Sequence, residues 1–405
     1  MPTQTDATRA PQAVAPHGPE KQHQLFVPDD PLIWFDDARR TSPVLWHPET
    51  ASWYITRFDD VWRLLLDDRL GARSPEPFLR ELAEPQRAAA RPFVEFLSRW
   101  PMFLDPPRHT VIRKVMRPAF TPDEVSRVAG IVQDSISPAH DGAAGADLVQ
   151  TLFQPACRTA LSALLGISAA DFPRLVDWSE RLMEFVGRGS IDLALVDEAE
   201  KALDELTDLT RRTLAAGGSP LAASVGRAVD AGVVGLADAV AIYAQIVTGA
   251  LEPTVAVLAV AVEALGGGPA HVHGYRTDPD GFVTEAVRLA TPFHLAPRRA
   301  ARDLDVRGKR IPAGDRVVLV LVAANRDPER FPEPLSFRWD RTGAHVAFGR
   351  GRHACLGARV AHHTIRPVLD AYVSRFRLAP PPVAVRWSIG MGMRTPLGIT
   401  TRITV

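Results

Sequence analysis

The sequence predicts a mainly α-helical protein with a smaller β region, folded as a single domain over residues 25–405. Runs with helical periodicity recur from Asp123 onward, and Leu236 to Leu265 is a long, nearly uncharged helical run. A helix that is apolar on every side is a central, buried helix. Short β-rich runs lie near both ends of the chain. The 405 residues could also hold two or three average domains, because length is only a prior.

Composition and charge exclude several classes of protein. The 47 basic residues balance the 47 acidic ones, so no global field argues for nucleic acid or an anionic membrane as partner. The two cysteines, Cys157 and Cys355, make no disulfide framework and suit a reducing cytoplasm. Met1 to Lys21 has no apolar block, so we expect a disordered N-terminal tail over residues 1–24 without a signal or membrane anchor.

The first elements should be a β-hairpin and a short helix. Val44-Leu45-Trp46 and Ser52 to Thr56 are rich in β-forming residues, and a helix is expected around Phe58 to Leu66. Arg73 to Trp100 lacks clean periodicity and mixes prolines with phenylalanines. That stretch is predicted to be a long loop of the kind that often forms a binding element or lid.

Periodicity predicts the remaining elements. Helices are expected at Asp123 to Ile136, Leu148 to Leu165, Asp171 to Gly187, Asp192 to Ala216 and Ala358 to Phe376. A hairpin turn is expected at Trp387 to Met393. Trp178, Met183 and Phe185 lie at helical spacing and are candidate pocket residues, although such residues more often belong to a core.

One cysteine lies between glycines, directly before a helical pattern, in Phe348-Gly349-Arg350-Gly351-Arg352-His353-Ala354-Cys355-Leu356-Gly357. A thiolate binds a metal only while it is ionised, and a helix N-terminus favours that negative charge. Gly351 and Gly357 are expected to allow a tight turn, Phe348 to shield the sulfur, and His353 to offer a donor. The alternative is that Cys355 is a small buried apolar residue, the commoner case for a lone cysteine.

The pattern Phe-x-x-Gly-x-x-x-Cys-x-Gly resembles the cysteine loop of the cytochrome P450 family. The resemblance implies a cytochrome P450 fold with one haem b per chain, held between the long central helix and the helix that follows the cysteine loop. It also implies that Cys355 is the axial iron ligand, whose thiolate favours O–O cleavage. The resemblance extends from about Leu25 to the C-terminus.

Two further motifs follow the family's order. In Leu104-Asp105-Pro106-Pro107-Arg108-His109-Thr110-Val111-Ile112-Arg113, His109 and Arg113 share a helical face and can clamp one anion, unless they form only a solvated basic face. By resemblance they contact the haem propionates together with Arg298 and His353.

The second motif is Glu285-Ala286-Val287-Arg288, which places a carboxylate and a guanidinium one turn apart. By resemblance this pair is joined by Arg341 and holds the structural core beneath the haem.

The central helix departs from the family pattern. Family members carry an acid and an alcohol here that deliver protons to dioxygen, whereas Gly249-Ala250-Leu251-Glu252-Pro253-Thr254 keeps the acid and places Pro253 where the alcohol belongs. Pro253 has no N–H, so we expect a kink and a free Gly249 carbonyl. Either Pro253 only bends the helix and Thr254 or water supplies the proton, or the enzyme abstracts hydrogen from its substrate and radical coupling follows.

The resemblance also implies a pocket and a partner. The expected pocket residues are Gln245, Gly249, Ala250, Phe293, His294, Leu295, Ile389 and Met391. Nothing in the chain resembles a reductase, so a separate ferredoxin and ferredoxin reductase are expected as electron donors. Basic residues that could attract an acidic ferredoxin, or could be scattered solvated charges, are Lys114, Arg117, Arg350, Arg352, Arg359, His362 and Arg366.

The expected function is oxidation of a small aromatic molecule by dioxygen in the cytoplasm, as in bacterial secondary-metabolite enzymes. Pro253 favours oxidative carbon–carbon or carbon–nitrogen coupling, and the group resembled most dimerises tryptophan-containing diketopiperazines. An ordinary hydroxylase or epoxidase of another natural product is the nearer alternative. A non-catalytic haem protein that senses a gas or ligand is the more distant one.

Overall fold

The computed structural model describes residues 30–73, 75, 83–136, 147–178, 193–376, 378 and 380–401. Helices α1 to α13 span Pro31–Thr41, Phe58–Leu64, Glu84–Ser98, Arg108–Met116, Pro122–Ser135, Gln154–Leu165, Leu193–Ala216, Pro220–Asp230, Leu236–Leu265, Pro269–Thr277, Pro279–Ala290, Leu321–Ala324 and Ala358–Val373. Strands β1 to β9 span Val44–His47, Ser52–Ile55, Leu70–Ala72, Leu295–Ala300, Leu304–Val306, Lys309–Ile311, Arg316–Val320, Val383–Ile389 and Arg394–Thr401. Shorter helical turns lie at Pro101–Phe103, Arg117–Phe120, Val149–Phe153 and Gly351–His353.

The prediction of a mainly helical chain with a smaller β region is confirmed. The largest sheet has the strand order β1-β2-β7-β4-β3, and its first two strands form the predicted antiparallel hairpin, with Val44 opposite Ile55. Strand β2 then pairs in parallel with β7. Two small antiparallel sheets, β5–β6 and β8–β9, complete the β region.

Helix α9 is the centre of the helical part. It runs without interruption from Leu236 to Leu265, as the apolar pattern predicted. Its length and composition would also allow it to cross a membrane, but most of its apolar window is buried against other helices. At its N-terminal end the Asp238 carboxylate accepts from the Gly235 N–H at 2.7 Å and pairs with Arg99 and Arg108. These ion pairs attach α9 to the segments on either side of Pro101–Phe103.

The predicted loop from Arg73 to Trp100 is partly wrong, because its second half is the 15-residue helix α3. Ala90, Phe93 and Leu97 recur at spacings of three and four and are buried, so packing of this face favours a helix despite Pro92. Pro85 lies in the first turn, where no N–H partner is needed. Residues 74 and 76–82 of the predicted loop lie outside the described residues.

The predicted tail over residues 1–24 lies outside the described residues. The candidate pocket residues Met183 and Phe185 also lie outside them. Their predicted companion Trp178 is buried, and its indole N–H donates to the Glu205 carboxylate at 2.8 Å. Trp178 is therefore a core residue that ties residues 172–178, which are helical, to α7.

Candidate active site

The cysteine loop is a tight turn closed by backbone hydrogen bonds. The Cys355 N–H donates to the Phe348 carbonyl at 2.8 Å, which closes the loop, and the ring of Phe348 lies against His345 and His362. Gly349 and Gly351 have φ values of 63° and 72°, a region that favours glycine. Gly357 has a φ of −82° and precedes the first turn of α13, so the turn needs Gly349 and Gly351 rather than the predicted Gly351 and Gly357.

The Cys355 sulfur lies where a thiolate can be held. The backbone N–H groups of Gly357 and Ala358 donate to it, and together with the Arg113 guanidinium they lower the pKa of the thiol, against a larger rise caused by burial. The side chain is nevertheless accessible to solvent. A sulfur surrounded by protein but accessible lines an internal cleft, with donors ready to support its anion.

Cationic and neutral donors converge on the same cleft. The rings of His109 and His353 are 4.4 Å apart between centroids, and burial together with neighbouring positive charge lowers the pKa of both, that of His353 to about 3. Burial also lowers the pKa of Arg298 to about 10. The Arg113 guanidinium donates to the Ala354 carbonyl at 2.7 Å.

This cluster is short of negative charge. Asp105 faces Arg298 and Arg352, and it raises the pKa of Arg298 by less than burial lowers it. The Nε2 atom of His353 is buried and has no hydrogen-bond partner among the described residues. Buried donors of this kind require acceptors, and two carboxylates would satisfy them. An accessible thiol beside such a cluster fits haem, with iron at Cys355 and propionates at the cations.

The predicted Glu285, Arg288 and Arg341 form one network in the structure. The Glu285 carboxylate accepts from Arg288 at 2.7 and 2.8 Å, from the Arg341 Nε at 3.0 Å and from the Arg338 backbone N–H at 3.0 Å. Arg288 also donates to the Asn325 carbonyl at 2.6 Å. Glu285 and Arg288 are almost fully buried, so the network joins α11 to the segment that leads to the cysteine loop.

Helix α9 presents one open face. Between Asp238 and Val262, the residues that are not buried are Gln245, Thr248, Gly249, Ala250, Glu252 and Pro253. Most of them recur at spacings of three and four, as neighbours on one side of a helix do. A Cβ added at Gly249 would meet nothing within 4 Å. This open face of α9 contains three of the predicted pocket residues and borders the cleft.

The acid and alcohols on α9 are arranged differently from the family pattern. The Glu252 side chain is half-buried, and its carboxylate lies 3.5 Å from the hydroxyl of Thr395 on β9, which donates to it. The Thr254 hydroxyl is buried and donates to the Ala250 carbonyl of its own helix at 2.7 Å. The helix remains continuous through Pro253. An alcohol of the C-terminal hairpin therefore donates to the acid.

The other predicted pocket residues separate into two groups. Phe293 and Ile389 are each 38% exposed. The neighbours of Phe293 in the chain, Pro292 and His294, are buried, whereas the strand that ends at Ile389 is mostly half-buried or exposed. Phe293 forms a bridge with Met393 across the turn that ends β8. Both positions therefore stay candidate pocket residues.

His294, by contrast, is completely buried. Its ring packs edge-on against Phe35 of α1, and its Nδ1 is 3.3 Å from the Met391 carbonyl. Burial lowers the pKa of His294 to about 4. Leu295 and Met391 pack against the same apolar cluster as Phe35. The imidazole is therefore neutral and its position is structural in this arrangement.

Sequence reasoning missed three residues that shape the cleft. The Met102 N–H donates to the Gln245 side-chain oxygen at 2.8 Å, and Thr395 reaches Glu252. Arg394 donates to the Leu289 and Ala290 carbonyls at 2.7 and 3.1 Å, which caps α11 and fixes the hairpin. No motif marks these residues, because each contact joins segments that are about a hundred residues or more apart.

Comparison with known proteins agrees with this geometry. Residues 280–400 match the cytochrome P450 family model. Cytochrome P450 107B1 of Saccharopolyspora erythraea is 30% identical over 85% of this chain and 87% of its own length. Biflaviolin synthase of Streptomyces coelicolor is 29% identical, over 86% of each chain, and erythromycin C-12 hydroxylase of Saccharopolyspora erythraea is 29% identical, over 85% of this chain and 87% of its own.

The fold agrees as well. The crystal structure of CalO2 superposes with a TM-score of 0.78 and 27% identity, over 92% of this chain and 96% of its own. The relatives are bacterial enzymes, and erythromycin C-12 hydroxylase is named for a natural product. Together with the accessible thiol and the cation cluster, these similarities show that the chain belongs to the cytochrome P450 family, as a haem b-binding oxidoreductase.

Proposed function

We propose that this P450 couples aromatic substrates oxidatively, forming carbon–carbon or carbon–nitrogen bonds between tryptophan-containing diketopiperazines. The observation that carries the proposal is the arrangement on α9. Pro253 stands where the family has an alcohol, and the Thr254 hydroxyl proton is already donated to the Ala250 carbonyl. The chain therefore lacks at that turn the free alcohol through which the family delivers protons, and we relate this departure to coupling of substrate radicals in place of oxygen insertion. Coupling removes one hydrogen atom from each of two aromatic substrates, and with two electrons from the donor and two protons both atoms of dioxygen leave as water.

The site residues have separate roles in this proposal. Bound haem supplies the activation of dioxygen, using electrons from a separate donor. Cys355 would hold the haem iron through its thiolate, which the N–H groups of Gly357 and Ala358 would support, and Phe348 would shield the sulfur from water. The donor cluster would hold the propionates through His109, Arg113, Arg298 and His353.

Glu252 holds the proton that the reaction needs, and Thr395 keeps its carboxylate beside the cleft. Phe293 and Ile389 provide the apolar wall against which aromatic rings can pack. Because radical coupling requires two aromatic groups in contact, an open face on α9 with a glycine at its centre supplies the space.

Labelled dioxygen tests the reaction type. With tryptophan-containing cyclic dipeptides as substrates, coupling gives a dimer without ¹⁸O, whereas the alternative hydroxylase or epoxidase gives a monomer that contains it. The hydroxylase alternative is supported by the relative erythromycin C-12 hydroxylase, which is 29% identical to this chain. Labelled oxygen in the main product would refute coupling. A non-catalytic haem sensor would instead consume no electrons when substrate is added.

Pro253→Thr tests the physical reason. Restoring an alcohol at this position should raise the share of oxygenated product, while Thr254→Val, which removes a hydroxyl already bound within the helix, should leave the share unchanged. An unchanged product distribution in Pro253→Thr would contradict the role given to Pro253.

We infer a cytoplasmic enzyme that receives electrons from an acidic ferredoxin and its reductase. Lys114, Arg117 and Arg359 are exposed close to the cysteine loop and its helix, whereas Arg352 and Arg366 lie near Asp105 and Asp280. The three exposed cations would attract the donor.

Reversing two of these charges tests the docking surface. Lys114→Glu with Arg117→Glu should slow reduction by ferredoxin at low salt and remove most of its salt dependence. Lys309→Glu, an exposed charge change in the β5–β6 hairpin, is the control and should have no effect. Equal rates in the two variants would rule out this docking surface.

A further inference from the structure

The side chain of Gln245 is held in a single orientation. Its Oε1 accepts from the Met102 N–H at 2.8 Å. A backbone N–H can only donate, so the atom that faces it must be the amide oxygen, and the amide NH2 must point elsewhere. Within the described part of the chain, this is the hydrogen bond that the Gln245 side chain makes.

The amide NH2 has open space to point into. Gln245 lies on the open face of α9, one turn before Gly249, where a Cβ would meet nothing within 4 Å. The neighbours Ala244 and Ile246, each about 100° round the helix from Gln245, are buried. The two amide hydrogens are therefore available on the open face of α9, which borders the proposed substrate cleft.

We propose that Gln245 is a specificity-determining residue whose Nε2 donates a hydrogen bond to a neutral acceptor, such as a ketone or amide carbonyl, on the substrate. The inference rests on the proposed substrate cleft and names the chemistry that this cleft selects. The Met102 N–H has a second role, because it prevents the amide from turning round and presenting its oxygen. A substrate carbonyl thus meets a donor that is already oriented, and less rotamer entropy is lost on binding.

Two substitutions separate the donor from the contact with Met102. Gln245→Glu keeps an oxygen for the Met102 N–H but presents a second oxygen, which repels a carbonyl. Gln245→Leu removes both functions. Gln133→Glu, on an exposed helix surface, is the control for the added charge.

The probes are α-tetralone, its hydrocarbon counterpart tetralin, and cyclo(L-Trp-L-Trp). Dissociation constants for the haem-containing protein are measured by equilibrium dialysis, without turnover. The unaltered protein should prefer tetralone over tetralin by about 3- to 10-fold, the worth of one neutral hydrogen bond. Gln245→Glu should abolish the preference for tetralone and leave tetralin binding unchanged. Gln245→Leu should also abolish the preference, whereas Gln133→Glu should retain it.

The inference is overturned if the unaltered protein shows no preference, or if Gln245→Glu retains it. It is also overturned if Gln245→Glu weakens both small probes equally, because that result would make Gln245 only a support for the segment around Met102. The cyclic dipeptide tests the other proposal independently. Ketone selectivity that depends on Gln245, without binding of cyclo(L-Trp-L-Trp), would refute the diketopiperazine substrate and support the donor role.

Discussion

Replacing Glu285 with glutamine should destabilise the fold strongly, although the two side chains have the same shape. The Glu285 carboxylate accepts three hydrogen bonds from guanidinium groups and one from a backbone N–H. The amide would point its NH2 at one of these donors and would leave buried Arg288 without its counter-charge. Breaking a buried ion pair by removing one partner costs about 3–5 kcal/mol.

The assay is urea unfolding followed by far-UV circular dichroism, with haem absorbance recorded in parallel. The midpoint should fall while the slope against urea stays constant. Glu329→Gln is the matched control, because Glu329 also pairs with an arginine, Arg57 at 2.6 Å, but is 65% exposed. Its cost should be below about 1 kcal/mol.

A second variant of the pair identifies the source of the cost. If Glu285→Gln is harmful because it leaves an unpaired buried cation, then Arg288→Met in the same chain should recover part of the loss, which a double-mutant cycle measures. A loss below about 1 kcal/mol for Glu285→Gln, similar to that of Glu329→Gln, would refute the reasoning.

Three further predictions concern the loop, the thiol and pH. Gly351→Ala should lower the free energy of unfolding in urea by about 3 kcal/mol and reduce haem content, because the φ of Gly351 is 72° and a Cβ there would lie 3.0 Å from a backbone carbonyl. The control is Gly217→Ala, where φ is 60° and the surrounding space is open, and this change should cost about 1–2 kcal/mol. Cys355→Ser should abolish the carbon monoxide difference band of thiolate-ligated haem, whereas the control Cys157→Ser should keep this band. If Cys355→Ser still showed the band, Cys355 would be excluded as the ligand. Because burial lowers the pKa of His294 from 6.5 to about 4, the unfolded chain binds the proton more tightly. Stability should therefore fall by up to about 3 kcal/mol between pH 6.5 and 4, and His294→Gln should flatten that part of the pH profile of unfolding.

The motifs that could be predicted are local in sequence. The cysteine loop places its turn, its sulfur and the start of α13 within ten consecutive residues, so its chemistry was visible before any fold was known. Glu285 and Arg288 lie one turn apart for the same reason. The helix from Leu236 to Leu265 was predicted to the residue because its apolar composition changes sharply at both ends.

Local sequence patterns also gave two wrong predictions. The prolines of the segment after Arg73 predicted a loop, yet α3 forms because its apolar face finds a core to pack against. Gly357 was assigned the role in the turn that Gly349 has, since spacing shows where glycines occur but not which of them needs a positive φ.

By itself, the sequence determined the family, the cysteine that is proposed as the iron ligand and the unusual Pro253, because each is expressed by neighbouring residues whose backbone geometry is set locally. Only the tertiary structure decided which side chains meet across the cleft. Met102 reaches Gln245, and Thr395 reaches Glu252, across 143 residues in each case. Helical periodicity defines a face but not its partner, and that partner depends on how the segments pack.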